Sequence, residues 1–284
     1  MYSIGLSSCG FPLTEENFRA LRESKIAAIE ISMQPDLYPL IDYTQVQHLS
    51  QEYGVALWSY HLPFTPFTQL EISALDKSVR DHTIRYFTEL IQKGAGIGID
   101  KFVIHPSGEP IEESERENRM GYAMESLDIL AEIAHSCGAC VAVEDLPRSC
   151  LGNSSDEILR LISANDKLRV CFDTNHLLSE DNVHFTKAVA DKIITVHISD
   201  FDFVNERHWL PGEGKLDWPA IVQALQEIGY RGVWLYELGL RRPKTINRFR
   251  ELTFDDFYRN AQCVLQGKTP EILSTPKENL GMWE

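Results

Sequence analysis

The sequence has no apolar run that approaches the roughly 18 residues of a membrane-spanning helix. Its six cysteines follow no disulfide-framework spacing, and the Cys137–Cys140 pair lacks the second pair of a zinc site, so we expect reduced thiols. Positive charge is scarce as well. The net charge of −15 makes nucleic acid an unlikely partner, since that binding normally needs a basic surface. The first residues carry no basic leader, so we expect no signal peptide, no membrane association and a cytoplasmic location.

What the chain does contain is a regular alternation of two patterns. Short apolar, β-branched runs predict strands at Tyr2–Leu6, Ile26–Ile31, Ala56–Tyr60, Phe102–Ile104, Val141–Val143, Val170–Phe172, Ile193–Val196 and Val233–Tyr236. Helical patterns lie between and after them, at Thr14–Ser24, Tyr43–Tyr53, Ser73–Gly94, Glu113–Cys137, Asn153–Ser163, His184–Ala190, Asp217–Ile228 and Thr253–Gln266. Eight such units predict an α/β fold, a single (β/α)8 TIM barrel over residues 1–266. Residues 267–284 are predicted to form a C-terminal tail, either an extended arm or a partner contact.

Most of the predicted strands stop on a residue that can bind a metal or move a proton, and strand two contains Glu30 near its end. Glu144, Asp173, His197 and Glu237 follow strands five to eight. Because active sites of such barrels lie at the carboxyl ends of the strands, these four side chains should meet in one cavity. Three carboxylates and one imidazole are ligands for a divalent ion such as Mn2+, Zn2+, Co2+ or Mg2+. The sequence therefore predicts a metal site, with these four residues as its ligands.

Five further polar residues are candidates for substrate binding. His61 and His105 end strands three and four, and His176 follows Asp173 by about one helical turn. Arg207 and His208 lie in the long loop after strand seven, where barrels often place an oxyanion or phosphate site. A guanidinium there could bind a hydroxyl or phosphate oxygen through two donors. A lone histidine is more often structural, but several at the same edge favour a pocket.

A basic cluster and a set of aromatic residues also lie near the predicted strand ends. A basic cluster follows Glu237 and is made of Arg241, Arg242, Lys244, Arg248 and Arg250. We interpret it as a solvated surface, with a site for an anionic substrate group as the alternative. Aromatic residues near the strand ends are expected to shape the pocket walls; they are Trp58, Tyr60, Phe64, Phe67 and Trp209.

Several stretches resemble the xylose isomerase-like barrel superfamily, which contains sugar isomerases, sugar epimerases and endonuclease IV. They read VEDLP at Glu144, CFDTNH at Asp173, VHISD at His197, ERHWLPGEGKLDW from Glu206 and GYRGVWLYEL ending beside Glu237. The resemblance to the epimerase branch implies one Mn2+-like ion held by residues matching Glu144, Asp173, His197 and Glu237. It also implies substrate contacts from the residues matching His176 and Arg207.

The same resemblance implies a mechanism for a sugar or a polyol-derived ketone, phosphorylated or not. One of Glu144 and Glu237 removes the proton next to the carbonyl, and the other returns a proton, so that isomerisation or epimerisation passes through an enediolate stabilised by the ion. Dehydratases start from the same proton abstraction. A homo-oligomer is compatible with the acidic surface and the tail.

A zinc-dependent nuclease for abasic DNA is the alternative enzyme. Endonuclease IV holds three zinc ions with nine residues, and the additional ligands here would be His61, His105, His176, Glu206 and His208. Glu206 departs from that pattern, because the nuclease has an aspartate there and glutamate is longer by one methylene. A nuclease also needs a basic groove and wedging side chains, for which only Arg241–Arg250 and Trp209 are suggestive. A non-catalytic carbohydrate-binding barrel is disfavoured by the complete set of metal ligands.

Overall fold

Eight parallel strands surround the axis of a barrel in the computed structural model, which describes residues 2–241, 243–278 and 280–281. The strands are β1 (Ile4–Ser7), β2 (Ala28–Ile31), β3 (Ala56–His61), β4 (Lys101–Ile104), β5 (Cys140–Glu144), β6 (Arg169–Asp173), β7 (Ile193–His197) and β8 (Trp234–Tyr236). Consecutive strands pair from β1 to β7, and β8 pairs with β1. All eight predicted strands are present, with ends that differ by a few residues.

The barrel closes between β7 and β8. Ile198 and Tyr236 form a parallel bridge, and the Ile198 amide donates to the Leu235 carbonyl at 2.8 Å. The Glu237 amide then donates to the Ile198 carbonyl at 3.2 Å, which fixes Glu237 at the rim. The prediction of a single (β/α)8 TIM barrel is confirmed.

Helices cover the outside of the barrel. They are α1 (Glu15–Glu23), α2 (Tyr43–Tyr53), α3 (Lys77–Gly96), α4 (Arg116–Ser136), α5 (Ser155–Ile162), α6 (Asn182–Val189), α7 (Trp218–Glu227) and α8 (Phe254–Val264). The prediction for α3 began four residues early, because Asp76 caps the helix by accepting a hydrogen bond from the Ser78 amide. The prediction for α4 included Glu113–Glu115, which form a 3-10 turn before the helix.

Alternation along the strands separates the core from the site. In β5, Val141 and Val143 face outward into the main hydrophobic core, whereas Ala142 belongs to a small cluster inside the barrel. Glu144 lies two residues beyond Ala142, so it shares the inward face at the carboxyl end. The same alternation in β6 places Cys171 inside and Asp173 above it. The strand period thus aims the polar residues at the barrel axis.

The segment after α8 folds back across the carboxyl end of the barrel. A second, two-stranded sheet pairs β9 (Ile246–Arg248), in the loop after β8, with β10 (Ser274–Pro276). Leu273 is buried in the main core, and the Gly281 carbonyl accepts a hydrogen bond from Arg207 at 2.8 Å. The described part of the tail, residues 267–278 and 280–281, is therefore an extended arm that contacts the loop after β7.

The structure bears on the cysteines and on membrane-spanning helices. All six cysteines, which lie among the described residues, are free. Within the part of the chain that the structure describes, no helix is both long and apolar enough to cross a membrane.

Candidate functional site

The imidazole of His197 is the point where the four predicted metal ligands meet. Its Nδ1 lies 2.8 Å from Glu144 Oε1, 3.4 Å from Glu237 Oε2 and 3.9 Å from Asp173 Oδ2. His197, Glu144 and Asp173 are fully buried. Each side chain comes from a different strand end, β5 to β8, as the barrel geometry requires.

Glu144 is enclosed by three imidazoles. His61 Nε2 and His105 Nε2 lie 3.1 Å and 3.2 Å from its Oε2, opposite the His197 contact to Oε1. Burial alone would raise the pKa of the Glu144 carboxyl, but His197 and His105 hold it well below its ordinary value. Burial likewise would lower the pKa of His61, yet the hydrogen bond to Glu144 raises it to about 9. The carboxylate is therefore ionised at neutral pH.

Asp173 carries a buried oxygen that suits a cation. Its Oδ1 accepts a hydrogen bond from the Asn175 amide at 2.6 Å, whereas Oδ2 has no hydrogen-bond partner among the described residues. Burial and the neighbouring Glu237 and Glu144 carboxylates raise the pKa of Asp173 to about 7, although His176 opposes this. Asp173 offers a ligand atom within 4.8 Å of those of Glu144 and His176, whereas the group of Glu144, His197 and Glu237 is completed by His61. An unpartnered buried oxygen beside other ligand atoms is what a bound divalent ion would satisfy.

A second group of possible ligands lies nearer to the surface. His176, Glu206 and His208 each offer a ligand atom within 4.8 Å of the others. His176 Nδ1 lies 2.8 Å from the Asp145 carbonyl oxygen, to which it donates, so Nε2 is directed to Glu206 Oε2 at 3.2 Å. Burial would raise the pKa of Glu206, but the hydrogen bond from His176 holds it well below its ordinary value.

A cavity of about 260 Å3 lies above the buried cluster and is lined by the second group of possible ligands, together with His105 and Glu237. Phe64 forms one wall and stacks on His105, with ring centroids 4.2 Å apart. Glu237 reaches the cavity and its side chain is 13% exposed, whereas the Glu144 side chain is 0% exposed and lies beneath the imidazoles. The cavity therefore offers Glu237 directly to a small ligand, with the buried cluster at its base.

The sequence profile of the xylose isomerase-like TIM barrel matches residues 18–252. The chain belongs to this family. An uncharacterised protein of Methanocaldococcus jannaschii is 27% identical over 183 residues, which cover 59% of this chain and 60% of that protein. The chain thus spans less than two thirds of that relative. D-psicose 3-epimerase of Ruminiclostridium cellulolyticum is 24% identical over 234 residues, 77% of this chain and 75% of the enzyme.

Solved structures share the fold at lower identity. A D-psicose 3-epimerase from Clostridium cellulolyticum, crystallised with D-tagatose, superposes with a TM-score of 0.76 and 17% identity. The alignment covers 94% of this chain and 98% of that chain. The similarity extends over nearly the whole barrel, including the strands that carry the buried cluster.

In this xylose isomerase-like barrel, Arg148 is a cavity residue that the sequence did not reveal. Its guanidinium binds both oxygens of Glu109, donates to Glu206 Oε1 at 2.7 Å and to Asn205 Oδ1 at 2.5 Å. It links the loops after β4, β5 and β7. The only local signal is its place four residues after Glu144, in the resembling stretch that begins VEDLP.

Glu30 lies at the active-site rim, as the pattern of strand two predicts, but the sequence did not reveal its contact with His197. It is fully buried near the carboxyl end of β2, and its Oε2 accepts a hydrogen bond from Ser59 at 2.8 Å. The same oxygen lies 3.1 Å from His197 Nε2. Strand periodicity alone marks Glu30 as inward-facing, which was the available signal.

Arg207 does not occupy the place predicted for it. Its side chain is fully buried, with Nε donating to Asp202 at 2.9 Å and Nη2 to the Gly281 carbonyl, and it does not line the cavity. The loop backbone directs the guanidinium toward the tail. The neighbouring His208 does line the cavity, as do His105 and His176.

Two members of the basic cluster form ion pairs, and two others are exposed. Arg248 is buried and lies 3.1 Å from Glu213, while Arg250 pairs with Asp256 at 2.6 Å. Arg241 and Lys244 are exposed, and Arg242 lies outside the described residues. The interpretation as a solvated surface is thus wrong for Arg248, because the loop after β8 folds it against Glu213.

Of the predicted aromatic wall residues, only two line the cavity. These are Phe64 and Phe67. Trp58 donates to Thr195 inside the barrel, and Trp209 is buried with its indole nitrogen donating to Thr245. Tyr60 is buried and hydrogen-bonded to Tyr43. The structure corrects the prediction for these three because their side chains pack into the protein.

Proposed function

We propose that this protein is a divalent-metal-dependent isomerase or epimerase that acts on a sugar or a related ketone. The observation that carries the proposal is the convergence of Glu144, Asp173 and Glu237 on His197 at the base of a cavity. The relationship to D-psicose 3-epimerase supports this choice of reaction class. Metal identity is left open, with Mn2+ preferred over Zn2+, Co2+ and Mg2+.

The residues present fit a bound cation. Glu144, Asp173, His197 and Glu237 supply three carboxylates and an imidazole, and the buried Asp173 Oδ2 lacks a hydrogen-bond partner among the described residues. A divalent ion held by this set would act as a Lewis acid that stabilises negative charge developing on a substrate oxygen. Glu30 orients the ring of His197 from the opposite side.

The two glutamates have different access to a substrate. Glu237 lines the cavity, so in our proposal it removes the proton on the carbon next to the carbonyl. Burial would raise the pKa of its carboxyl, but His197 lowers it, which keeps Glu237 ready to act as a base at neutral pH. Glu144 is proposed as the partner that returns a proton. Because its carboxylate is ionised, it must first take that proton from a neighbouring imidazole such as His61, whose Nε2 lies 3.1 Å from Glu144 Oε2.

The cavity walls suit a small hydroxylated molecule. A volume of about 260 Å3 is below the range of about 300–1,000 Å3 that is usual for drug-sized ligands, and fits a single sugar. Phe64 and Phe67 offer apolar faces for the C–H side of a sugar ring, while His105, His176 and His208 offer ring nitrogens for its hydroxyls.

The proposal is tested by proton exchange. Protein reloaded with Mn2+ is incubated in D2O with a panel of ketohexoses and ketopentoses, and NMR follows deuterium at the carbon next to the carbonyl. We expect deuterium incorporation with at least one ketose, accompanied by a new epimer or aldose. Exchange absent from the whole panel, at full metal content, would overturn the proposed activity.

A zinc-dependent nuclease is the second candidate, favoured by one observation. The His176, Glu206 and His208 group forms a second possible metal site beside the first, and His61 and His105 share Glu144 Oε2. Against it, Arg148 engages Glu206, and Trp209 is buried and so unable to wedge into DNA. Elemental mass spectrometry separates the two: about one ion per chain fits the sugar enzyme, and about three zinc ions fit the nuclease.

A further inference from the structure

A second and larger cavity adjoins the one described above. Its volume is about 670 Å3, and it shares three wall residues with the inner cavity: Glu109, Arg148 and His176. Its outer walls include Leu178 and Ser179, which lie two and three residues after His176 in the chain. Of these two adjoining cavities, the outer one has a volume within the range of about 300–1,000 Å3 that is usual for small-molecule sites. A ligand bound at the buried cluster could therefore extend into it.

Salt bridges hold Arg148, which lines both cavities, in one position. Arg148 comes from the loop after β5, Glu109 from the loop after β4 and Glu206 from the loop after β7. The Arg148 side chain is only 12% exposed, and its bonds to both carboxylates restrict the guanidinium. The outer cavity thus lies directly beside the first, and Glu109, Arg148 and His176 line both.

The charges at this wall disfavour an anionic occupant. Arg148 is the one arginine or lysine that lines either cavity among the described residues, and it already faces two carboxylates. A phosphate placed there would compete with Glu109 and Glu206 for the same guanidinium and would be repelled by both. His176, which lines both cavities and directs its ring nitrogens to the Asp145 carbonyl and to Glu206, adds a second positive group, so this wall is neutral overall and suits an uncharged group.

The remaining walls suit a second sugar unit. Pro110 and Leu178 offer apolar surface, and Ser149 and Ser179 offer hydroxyls. This combination matches the C–H face and the hydroxyls of a pyranose ring. We propose that the outer cavity is a subsite for an uncharged glycosyl group, so that the preferred substrate is a glycosylated, unphosphorylated ketose. The inference rests on the proposed sugar isomerase or epimerase function.

Three matched substrates test the subsite: a ketohexose, its 6-O-glucoside and its 6-phosphate, compared by deuterium exchange in D2O. We expect kcat/KM for the glucoside to exceed that for the free ketose by about tenfold or more, and the phosphate to be the poorest of the three. An equal value for the glucoside and the free ketose, or a preference for the phosphate, would overturn the subsite and leave the proposed function standing.

A variant that fills the outer cavity provides a second test of the subsite. Ser179 is exposed and lines this cavity, so Ser179→Trp should fold and should lower the glucoside-to-ketose ratio of kcat/KM about tenfold. Ser163→Trp is the matched control, since Ser163 is exposed just after α5, at the opposite end of the barrel. A ratio that Ser179→Trp leaves unchanged contradicts the subsite. If none of the three substrates shows deuterium exchange, the proposed function is contradicted, and the subsite with it.

Discussion

Glu30 and His197 form a fully buried pair whose geometry sets the direction of the imidazole. Glu30 Oε2 lies 3.1 Å from Nε2, while Nδ1 on the other side of the ring lies 2.8 Å from Glu144. Both ring nitrogens face carboxylate oxygens, which accept hydrogen bonds, so each can donate one. A divalent ion bound at Nδ1 would replace the proton there and leave Nε2–H donating a hydrogen bond to Glu30. The Nδ1 edge then faces Glu144, Asp173 and Glu237. A carboxylate behind a metal-binding histidine is a common way to fix its tautomer.

Replacing Glu30 should therefore weaken metal binding without touching a ligand. We expect Glu30→Ala to lower Mn2+ affinity about 10- to 100-fold, because His197 loses its orienting acceptor. Glu30→Gln keeps an oxygen of similar shape and should lose less. Titration against a competing chelator measures both, with circular dichroism to verify folding. A wild-type affinity in Glu30→Ala would contradict the positioning role.

Strand ends explain why part of the site could be found from the sequence. Glu144, Asp173 and His197 are each the last residue of a parallel strand, and barrel topology brings such positions together whatever the loops do. Arg148 and Arg207 lie in loops, where the side-chain direction depends on distant partners. Arg148 meets Glu109 and Glu206, which are 39 and 58 residues away, and no local pattern encodes those contacts.

Removing the negative charge from Glu237 should stop turnover. If Glu237 abstracts the proton, Glu237→Gln lowers kcat about 10²–10⁴-fold, the usual contribution of general acid–base catalysis. Glu144→Gln should also abolish turnover, and both variants should keep a melting temperature close to that of the wild type. Rates are compared at equal, measured metal content, because both residues are also proposed ligands. Near-full activity in either variant would show that the two-glutamate mechanism is wrong.

His208 separates the two candidate functions. Its Nδ1 lies 3.1 Å from the Glu237 carbonyl oxygen. His208 belongs to the second group of possible ligands, with His176 and Glu206, rather than to the buried cluster around His197. A sugar enzyme with one ion should keep that ion in His208→Ala and lose less than about tenfold in kcat/KM. A nuclease with three ions should lose an ion and most of its activity. Metal content and assays on both substrate classes decide the case.

Arg207 should hold the tail rather than a substrate. Its guanidinium joins Asp202 to the Gly281 carbonyl, so Arg207→Ala should loosen the tail and cost about 1–3 kcal/mol from a buried charge-assisted hydrogen bond. Faster hydrogen–deuterium exchange at Lys277, whose amide donates to Thr245, is the local readout. The exposed Arg241→Ala is the control. Unchanged exchange at Lys277 in Arg207→Ala would contradict this role.

Asp256 should make the stability of α8 depend on pH. Burial alone would raise the pKa of its carboxyl, but the Arg250 guanidinium and the Thr253 amide and hydroxyl hold it well below its ordinary value of 3.8. A carboxyl with a lowered folded-state pKa stabilises the fold fully above its unfolded-state pKa, and this stabilisation is lost as the pH falls toward the folded-state value. We expect Asp256→Asn to be about 1–3 kcal/mol less stable at pH 7, with the difference shrinking below about pH 4.

Urea unfolding at pH 7, 5 and 3 measures that difference directly. Asp255→Asn is the matched control, because Asp255 is the preceding residue of the same helix and its ion pair with Arg259 is exposed on both sides. An exposed pair of this kind contributes about 0–1 kcal/mol, so this variant should stay near the wild type throughout. If Asp256→Asn were destabilised equally at all three pH values, the loss would come from packing or helix capping, and the charge of Asp256 would have no part in the acid sensitivity of the fold.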